Sequence, residues 1–266
     1  MGQPLLEVAQ LSAGFGGDPV VHDVSFEVRD GECLALVGES GSGKSVTAYS
    51  ILRAVPPPGR ILGGDIRFRG RDLRTLDEPA MRAIRGADIA LIPQEPSSAL
   101  TPVLTIGDQI AEILVAHGRA DWTTARARAV ELLDSVKLAH PAARVRDYPH
   151  QLSGGQLQRV LIAMALSCGP SLVIADEPTT ALDVRVQAEI LDLLRETRAG
   201  SDLSLLLITH DLGVVASMAD RVAVMRAGRI VEQGAVADIF RAPQHPYTQG
   251  LLALAQRPGG SPRRAG

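Results

Sequence analysis

Gly38-Glu39-Ser40-Gly41-Ser42-Gly43-Lys44-Ser45 follows the apolar run Cys33–Val37 and leads into a helix-like stretch, Lys44–Ala54, that Pro56-Pro57-Pro58 should stop. The octapeptide matches G-x-x-x-x-G-K-[ST] at every specified position, and a strand before it with a helix after it is the context that motif requires. The residue types answer to a physical task. Glycines let the backbone wrap closely and turn its N–H groups toward anionic oxygens. The helix starting near Lys44 adds the positive end of its dipole. Lys44 supplies a point charge for β- and γ-phosphates, and the Ser45 hydroxyl is placed to ligand Mg²⁺. Gly38, Glu39, Ser40, Gly41, Ser42, Gly43, Lys44, Ser45 and Val46 are therefore the candidate nucleotide-binding segment. Two other glycine motifs fail on their own terms. A dinucleotide fingerprint read from Gly41 would need glycine at Val46, and a nucleophile elbow read from Gly38 would need glycine at Ser42.

A second stretch fits the first. Leu172-Val173-Ile174-Ala175-Asp176-Glu177 is an apolar strand ending in two carboxylates. In a parallel sheet, ligands bind beyond the carboxyl ends of the strands, so Asp176 would face the phosphate loop and hold Mg²⁺, through water. Glu177 would lie one residue further on, near the γ-phosphate, where it could polarise an attacking water. A strand ending in Asp-Glu is often only a solvated turn; coupled to a complete phosphate loop, it reads as the second half of a Mg-nucleotide hydrolase.

The rest of the chain alternates in period. Asp65–Arg69, Ile89–Ile92 and Leu205–Thr209 read as strands, and Arg221–Gln233 as a hairpin turning at Ala227-Gly228. Between Thr105 and Leu138 the apolar period lengthens to that of helices, with Ile106, Ile110, Ile113 and Leu114 on one face and Val130, Leu133 and Val136 on another. Val186–Arg198 reads as an amphipathic helix whose stripe is Val186, Ile190, Leu193 and Leu194. Strands alternating with helices imply a mostly parallel sheet covered on both faces, with the central helical block inserted into it. The last ten residues, Arg257 to Gly266, are rich in Gly, Pro and Arg and are expected to form a disordered tail. No internal repeat is present.

Composition sets outer bounds. With 266 residues, 45% hydrophobic content and 21% charge, the chain has ample material for one large α/β domain. Its net charge of −3 gives no support to nucleic-acid binding. Cys33 and Cys168 sit in apolar surroundings and are expected to be buried free thiols. The start of the chain lacks a signal-peptide pattern, and no stretch approaches the ~20 apolar residues that span a bilayer. Any work at a membrane would rely on other subunits. The six histidines show no metal-ligand spacing.

Leu152-Ser153-Gly154-Gly155-Gln156 lies about twenty residues before Asp176. Ser153 and Gln156 fit a helix capping box, which leaves the paired glycines unexplained. The pentapeptide resembles the signature motif of the ATP-binding cassette family, and other family positions follow in order. Gln94 resembles the Q-loop glutamine, Asp183 the D-loop aspartate and His210 the switch histidine, while Phe15 occupies the place of the aromatic that stacks on adenine. The resemblance runs from about residue 5 to 255. It implies an α/β P-loop NTPase (RecA-like) core with an antiparallel β subdomain and an inserted α-helical subdomain, about residues 95–168, within one nucleotide-binding domain of residues 1–256. It also implies a dimer closing head to tail around two ATP molecules. Ser153, Gly154 and Gly155 would then bind the γ-phosphate held by the partner cassette, and Gln156 and Asp183 count among the nucleotide-binding positions that the resemblance implies. Gln94 would sense Mg²⁺ and the γ-phosphate, and His210 would contact the γ-phosphate.

Longer segments narrow the resemblance. Tyr148-Pro149-His150-Gln151, the run Ala175 to Val184, and His245-Pro246-Tyr247-Thr248-Gln249-Gly250-Leu251-Leu252 resemble the oligopeptide, dipeptide and nickel importer group. That group pairs two ATPase subunits with two permeases and an extracytoplasmic solute-binding protein, at the cytoplasmic face of the inner membrane. Many peptide-type members carry a longer C-terminus with clustered cysteines, which this chain lacks; in that respect it is more like the nickel-type subunits. Chromosome-type cassettes insert a long coiled coil before the signature, ribosome-acting ones carry two cassettes, and exporters usually fuse membrane helices; Gln94–Leu152 contains no sustained heptads.

Overall fold

The computed structural model describes residues 3–180 and 182–255; the tail expected beyond residue 256 lies outside them. The elements in chain order are β1 (Leu6–Phe15), β2 (Asp18–Val28), β3 (Cys33–Val37), α1 (Lys44–Ile51), β4 (Gly59–Phe68), β5 (Arg71–Asp72), α2 (Glu78–Ile84), β6 (Ile89–Ile92), α3 (Pro96–Ala99), α4 (Ile106–Ala116), α5 (Trp122–Ser135), α6 (Pro141–Arg144), α7 (Gly154–Leu166), β7 (Leu172–Asp176), α8 (Val184–Ala199), β8 (Ser204–Thr209), α9 (Leu212–Met218), β9 (Arg221–Arg226), β10 (Arg229–Ala235), α10 (Val236–Arg241) and α11 (Pro246–Ala255).

They form two sheets. An antiparallel sheet has the order β2-β1-β4-β5, and a six-stranded sheet has the order β10-β9-β3-β8-β7-β6. The last five strands of that second order run parallel, and β10 pairs antiparallel with β9. Strand alternation divides the core. Leu34, Leu36, Leu172, Ile174, Leu206 and Ile208 point to the face covered by the antiparallel sheet and α1. Cys33, Val173, Ala175, Leu205 and Leu207 point to the other, where α7 and α8 pack. Burial on both faces explains why β3, β7 and β8 are continuous apolar runs. Cys33 and Cys168 are free and buried.

Several helices start on side-chain caps: Thr105 on α4, Asp121 on α5, Asp183 on α8 and Asp211 on α9 each accept an orphan backbone N–H. In α4, Ile106, Ile110 and Leu114 are buried as the periodicity predicts, and Ile113 is half-buried at the edge of the stripe. From within α4, the buried Gln109 side chain reaches back to bond the N–H and C=O of Thr101 and the C=O of Leu104. This fixes a loop that carries Val103 outward, 76% exposed.

Two sequence expectations shift. The helix after the phosphate loop ends at Ile51, before Ala54, because Arg53 takes φ +50 and its guanidinium bonds the carbonyls of Leu73 and Leu76. The strand expected at Asp65–Arg69 is the second half of β4, which begins at Gly59 and pairs along β1. The long β1–β2 hairpin, turning at Gly16-Gly17, is a further element, without a counterpart in the expected strands.

Candidate functional site

Residues 38–45 connect the C-terminal end of β3 to α1. Gly38 has no room for a side chain: an added Cβ would lie 2.1 Å from the Met225 carbonyl oxygen of β9. The loop therefore lies against the C-terminal end of β9, and Lys44 closes it from within. Lys44 Nζ donates to the carbonyls of Gly38 and Glu39, at 2.9 Å each, and lies 3.5 Å from Ser42 Oγ. Burial pulls the ammonium below its ordinary range, opposed by the nearby carboxylates of Glu177, Asp176 and Glu39. Ser42 and Gly43 are buried, Ser45 and Val46 half-buried, and Glu39, Ser40 and Gly41 exposed.

Asp176 ends β7, two strands from β3. Ser45 Oγ donates to Asp176 Oδ1 at 3.1 Å, joining the phosphate loop to the acidic strand end. Burial raises the Asp176 carboxyl above its ordinary range, the Ser45 hydrogen bond opposes that rise, and the adjacent Glu177 charge adds to it. Two hard oxygen donors, one of them a buried carboxylate that a cation would relieve, fit Mg²⁺ completed by phosphate oxygens and water.

Glu177 follows with φ +46, a left-handed conformation uncommon outside glycine. Its N–H bonds the Ile208 carbonyl at 2.9 Å, and its carbonyl accepts from Thr180 N at 3.1 Å. This twist turns the side chain into a cluster of polar groups. Oε2 accepts from Gln94 Nε2 at 3.2 Å and from Thr180 Oγ1 at 2.8 Å. Oε1 lies 3.2 Å from His210 Nδ1. The carboxylate is mostly buried and the imidazole is more than half exposed. Gln94 lies two residues after β6, and His210 directly after β8. Three of the sequence-predicted residues, Gln94, Glu177 and His210, thus converge within hydrogen-bond reach. Thr180 is a member that sequence reasoning missed; its signal was local, three residues past Glu177 in a tight turn.

The remaining predicted residues lie elsewhere. Phe15 ends β1, 38% exposed, against Gly59 of β4. Ser153 caps α7 in the expected box: Ser153 N donates to Gln156 Oε1 at 2.9 Å, and Gln156 N donates to Ser153 Oγ at 3.4 Å. Gly154 and Gly155 form the first turn beside Leu182 and Val186, and a Cβ on Gly155 would fall 2.6 Å from Val186 Cγ1. Packing within the chain therefore gives a reason for Gly155. Gly154 has none of that kind: its Cβ would meet only Leu182 Cδ2, at an ordinary 3.6 Å. Asp183 spends its carboxylate on capping α8, accepting from Arg185 N at 3.1 Å and Val186 N at 3.0 Å.

The chain is similar to known proteins over most of its length. The oligopeptide transport ATP-binding protein OppD of Bacillus subtilis is 52% identical over 254 residues, covering 94% of this chain and 71% of that protein. The dipeptide transport ATP-binding protein DppD of the same organism is 50% identical over 260 residues, covering 96% and 78%. A dimeric ATP-binding cassette, MJ0796, in a post-hydrolysis state bound to ADP and Pi, matches with a TM-score of 0.77 at 26% identity, over 87% of this chain and 98% of that one. A profile of the family described as ABC transporter matches residues 21–180, more than half of the sequence, and the chain belongs to that family.

Proposed function

We propose that this chain binds and hydrolyses ATP to energise import of a small solute, with peptides the favoured class. The observation that carries the reading is the convergence of Gln94, Thr180 and His210 on the Glu177 carboxylate, one residue beyond the Asp176–Ser45 pair. In this reading residues 38–46 wrap the phosphates, Lys44 neutralises them and Phe15 stacks on the base. Ser45 and Asp176, with Gln94, hold Mg²⁺, which when bound neutralises charge on the phosphate oxygens. Glu177 accepts the proton of the attacking water, and its neighbours fix the direction of its lone pairs. His210, next to the same carboxylate, is placed to contact the γ-phosphate.

Ser153, Gly154 and Gly155 lie on a different helix terminus, so they serve a nucleotide on a second cassette; this supports a head-to-tail pair. The exposed Val103 and Leu104, on a loop that Gln109 holds rigid, supply an apolar contact for a membrane subunit. No helix among the described residues is long and apolar enough to cross a membrane; in this reading the translocation path belongs to permease partners, with this subunit at their cytoplasmic side. Similarity to oligopeptide and dipeptide subunits favours peptide over nickel-complex import.

The test is recovery of the tagged chain from native membranes in mild detergent, with companions identified by mass. Two permeases and a second cassette are expected. Recovery with ribosomes or DNA, without membrane proteins, would overturn the transport reading and leave only the ATPase chemistry.

A further inference from the structure

The segment His245–Leu252 marks a branch of the family in the sequence, yet the hydrolytic cluster makes no use of it. The structure gives it a task. Glu39 N, in the first leg of the phosphate loop, donates to the Tyr247 hydroxyl oxygen at 3.2 Å, across 208 positions of sequence. The phenol ring is itself held, with the Arg226 guanidinium carbon 4.8 Å from its centroid, a cation–π arrangement. Its backbone is held as well. Tyr247 N donates to His245 Nδ1 at 3.1 Å, and the Glu232 carboxylate of β10 accepts Gln244 N at 2.7 Å and His245 N at 3.1 Å. A further tie comes from the β9–β10 turn, where Gly228 N donates to the Ser42 carbonyl at 3.0 Å.

These contacts brace one side of the loop, and the leg they brace is the one whose carbonyls receive Lys44. The Gly38 and Glu39 oxygens that accept Nζ bracket the Glu39 amide that Tyr247 accepts. If that amide swings free, the two carbonyls and the ammonium between them move with it.

We propose that Tyr247 is a positioning residue for the phosphate loop: by accepting the Glu39 amide it fixes the leg that orients Lys44, so that ATP affinity depends on the seating of α11. The proposal rests on the reading that residues 38–45 bind the phosphates of ATP. Tyr247→Phe removes only the hydroxyl and keeps the ring under Arg226. With the exposed Glu39 N–H left to water in place of its fixed partner, MgATP binding to the full chain, measured by calorimetry, should weaken about threefold to tenfold, the net worth of one hydrogen bond. The KM for ATP should rise by a similar factor, with kcat changed by less than about twofold; a purely structural role would lower the unfolding midpoint and leave KM in place. Lys44→Ala tests the underlying reading separately. If Lys44→Ala binds MgATP like the parent chain, the phosphate-loop reading fails. If Lys44→Ala loses binding while Tyr247→Phe binds within twofold of the parent, the role of Tyr247 alone is overturned. Should Tyr247→Phe fail to fold, hydrogen exchange of the parent chain decides. Protection of the Glu39 amide comparable to that of Gly228 supports the brace, and exchange at open-loop rates refutes it.

Discussion

Replacing Gly155 by alanine separates what the chain needs at its signature turn from what a ligand needs there. Gly155 is the second residue of α7, where alanine would favour the helix by up to ~1 kcal/mol. The new Cβ would, however, sit 2.6 Å from Val186 Cγ1, against an ordinary carbon–carbon approach of about 3.5–4.0 Å. Relieving an overlap of about 1 Å against half-buried Val186 costs about 1–3 kcal/mol, so with the helix gain set against it Gly155→Ala should destabilise by a net ~0–2 kcal/mol. Val186→Ala removes the obstructing methyl. In that background the Gly155→Ala change should be neutral or stabilising, giving a coupling energy of about 1–3 kcal/mol. Urea unfolding of the two single variants, the double variant and the parent closes the cycle. Costs that add within ~0.5 kcal/mol, or a Gly155→Ala chain more stable than the parent, would refute the steric account. Gly154→Ala is the companion variant. Its Cβ meets nothing closer than 3.6 Å, so stability should hold or rise, and any loss of ATP turnover reports something outside the chain approaching this turn.

Glu177→Gln keeps the side-chain volume and an acceptor for Gln94 and Thr180 while removing basicity; MgATP binding should persist and phosphate release in the assembled complex should fall at least ~100-fold. Retained hydrolysis would remove Glu177 from the role of base. Cys33 offers a test by pH: burial pushes its thiol up to about 12, whereas in an unfolded chain it ionises near ~8.5. The folded state thus holds the proton more tightly, and the resulting stability, full below the unfolded value, is lost as pH rises toward 12. Between pH 8 and 10 the loss should be about 1.5–2 kcal/mol. Urea midpoints of the parent and of Cys33→Ala check it, and an equal decline in both would show that the slope arises elsewhere.

What could be read in the sequence followed how locally each feature is determined. β3 and β7 are buried along their whole length, so they announce themselves as unbroken apolar runs, and the phosphate loop lies within eight consecutive residues. β1 escaped because its inside–outside alternation is interrupted by register shifts between Val8 and Leu11, between Leu11 and Ala13, and between Ala13 and Gly14; each shift resets a period-2 pattern. The Gly16-Gly17 pair between two apolar runs was the available hairpin signal. The end of α1 at Ile51 depends on Arg53 reaching carbonyls about 20 residues away, and no local propensity encodes that reach. The resemblance gives Gly155 a role toward a partner's nucleotide; Val186, thirty-one positions later, adds a packing reason for glycine there that spacing alone does not reveal. Tyr247 could be read as part of a segment marking a branch of the family, and its contact with Glu39 exists only because the β9–β10 hairpin returns the chain to the loop.

The composition of the cluster around Glu177 follows from the strand order. In sequence the four residues carried beyond strand ends run Lys44, Gln94, Glu177, His210, and nothing in that order says which neighbours which. In the sheet the parent strands run β3-β8-β7-β6. Because β8 and β6 flank β7 and all three run parallel, their carboxyl ends bring His210 to one side of Glu177 and Gln94 to the other. The same order leaves β8 between β3 and β7, so Asp176 is too far from the phosphate strand for a ladder contact. The gap is closed by Ser45, which stands beyond the end of β3 in the first turn of α1. A parallel sheet with this order therefore assembles one polar cluster from segments more than a hundred residues apart. The left-handed turn at Glu177 completes it, by aiming the carboxylate along the sheet edge toward both neighbours.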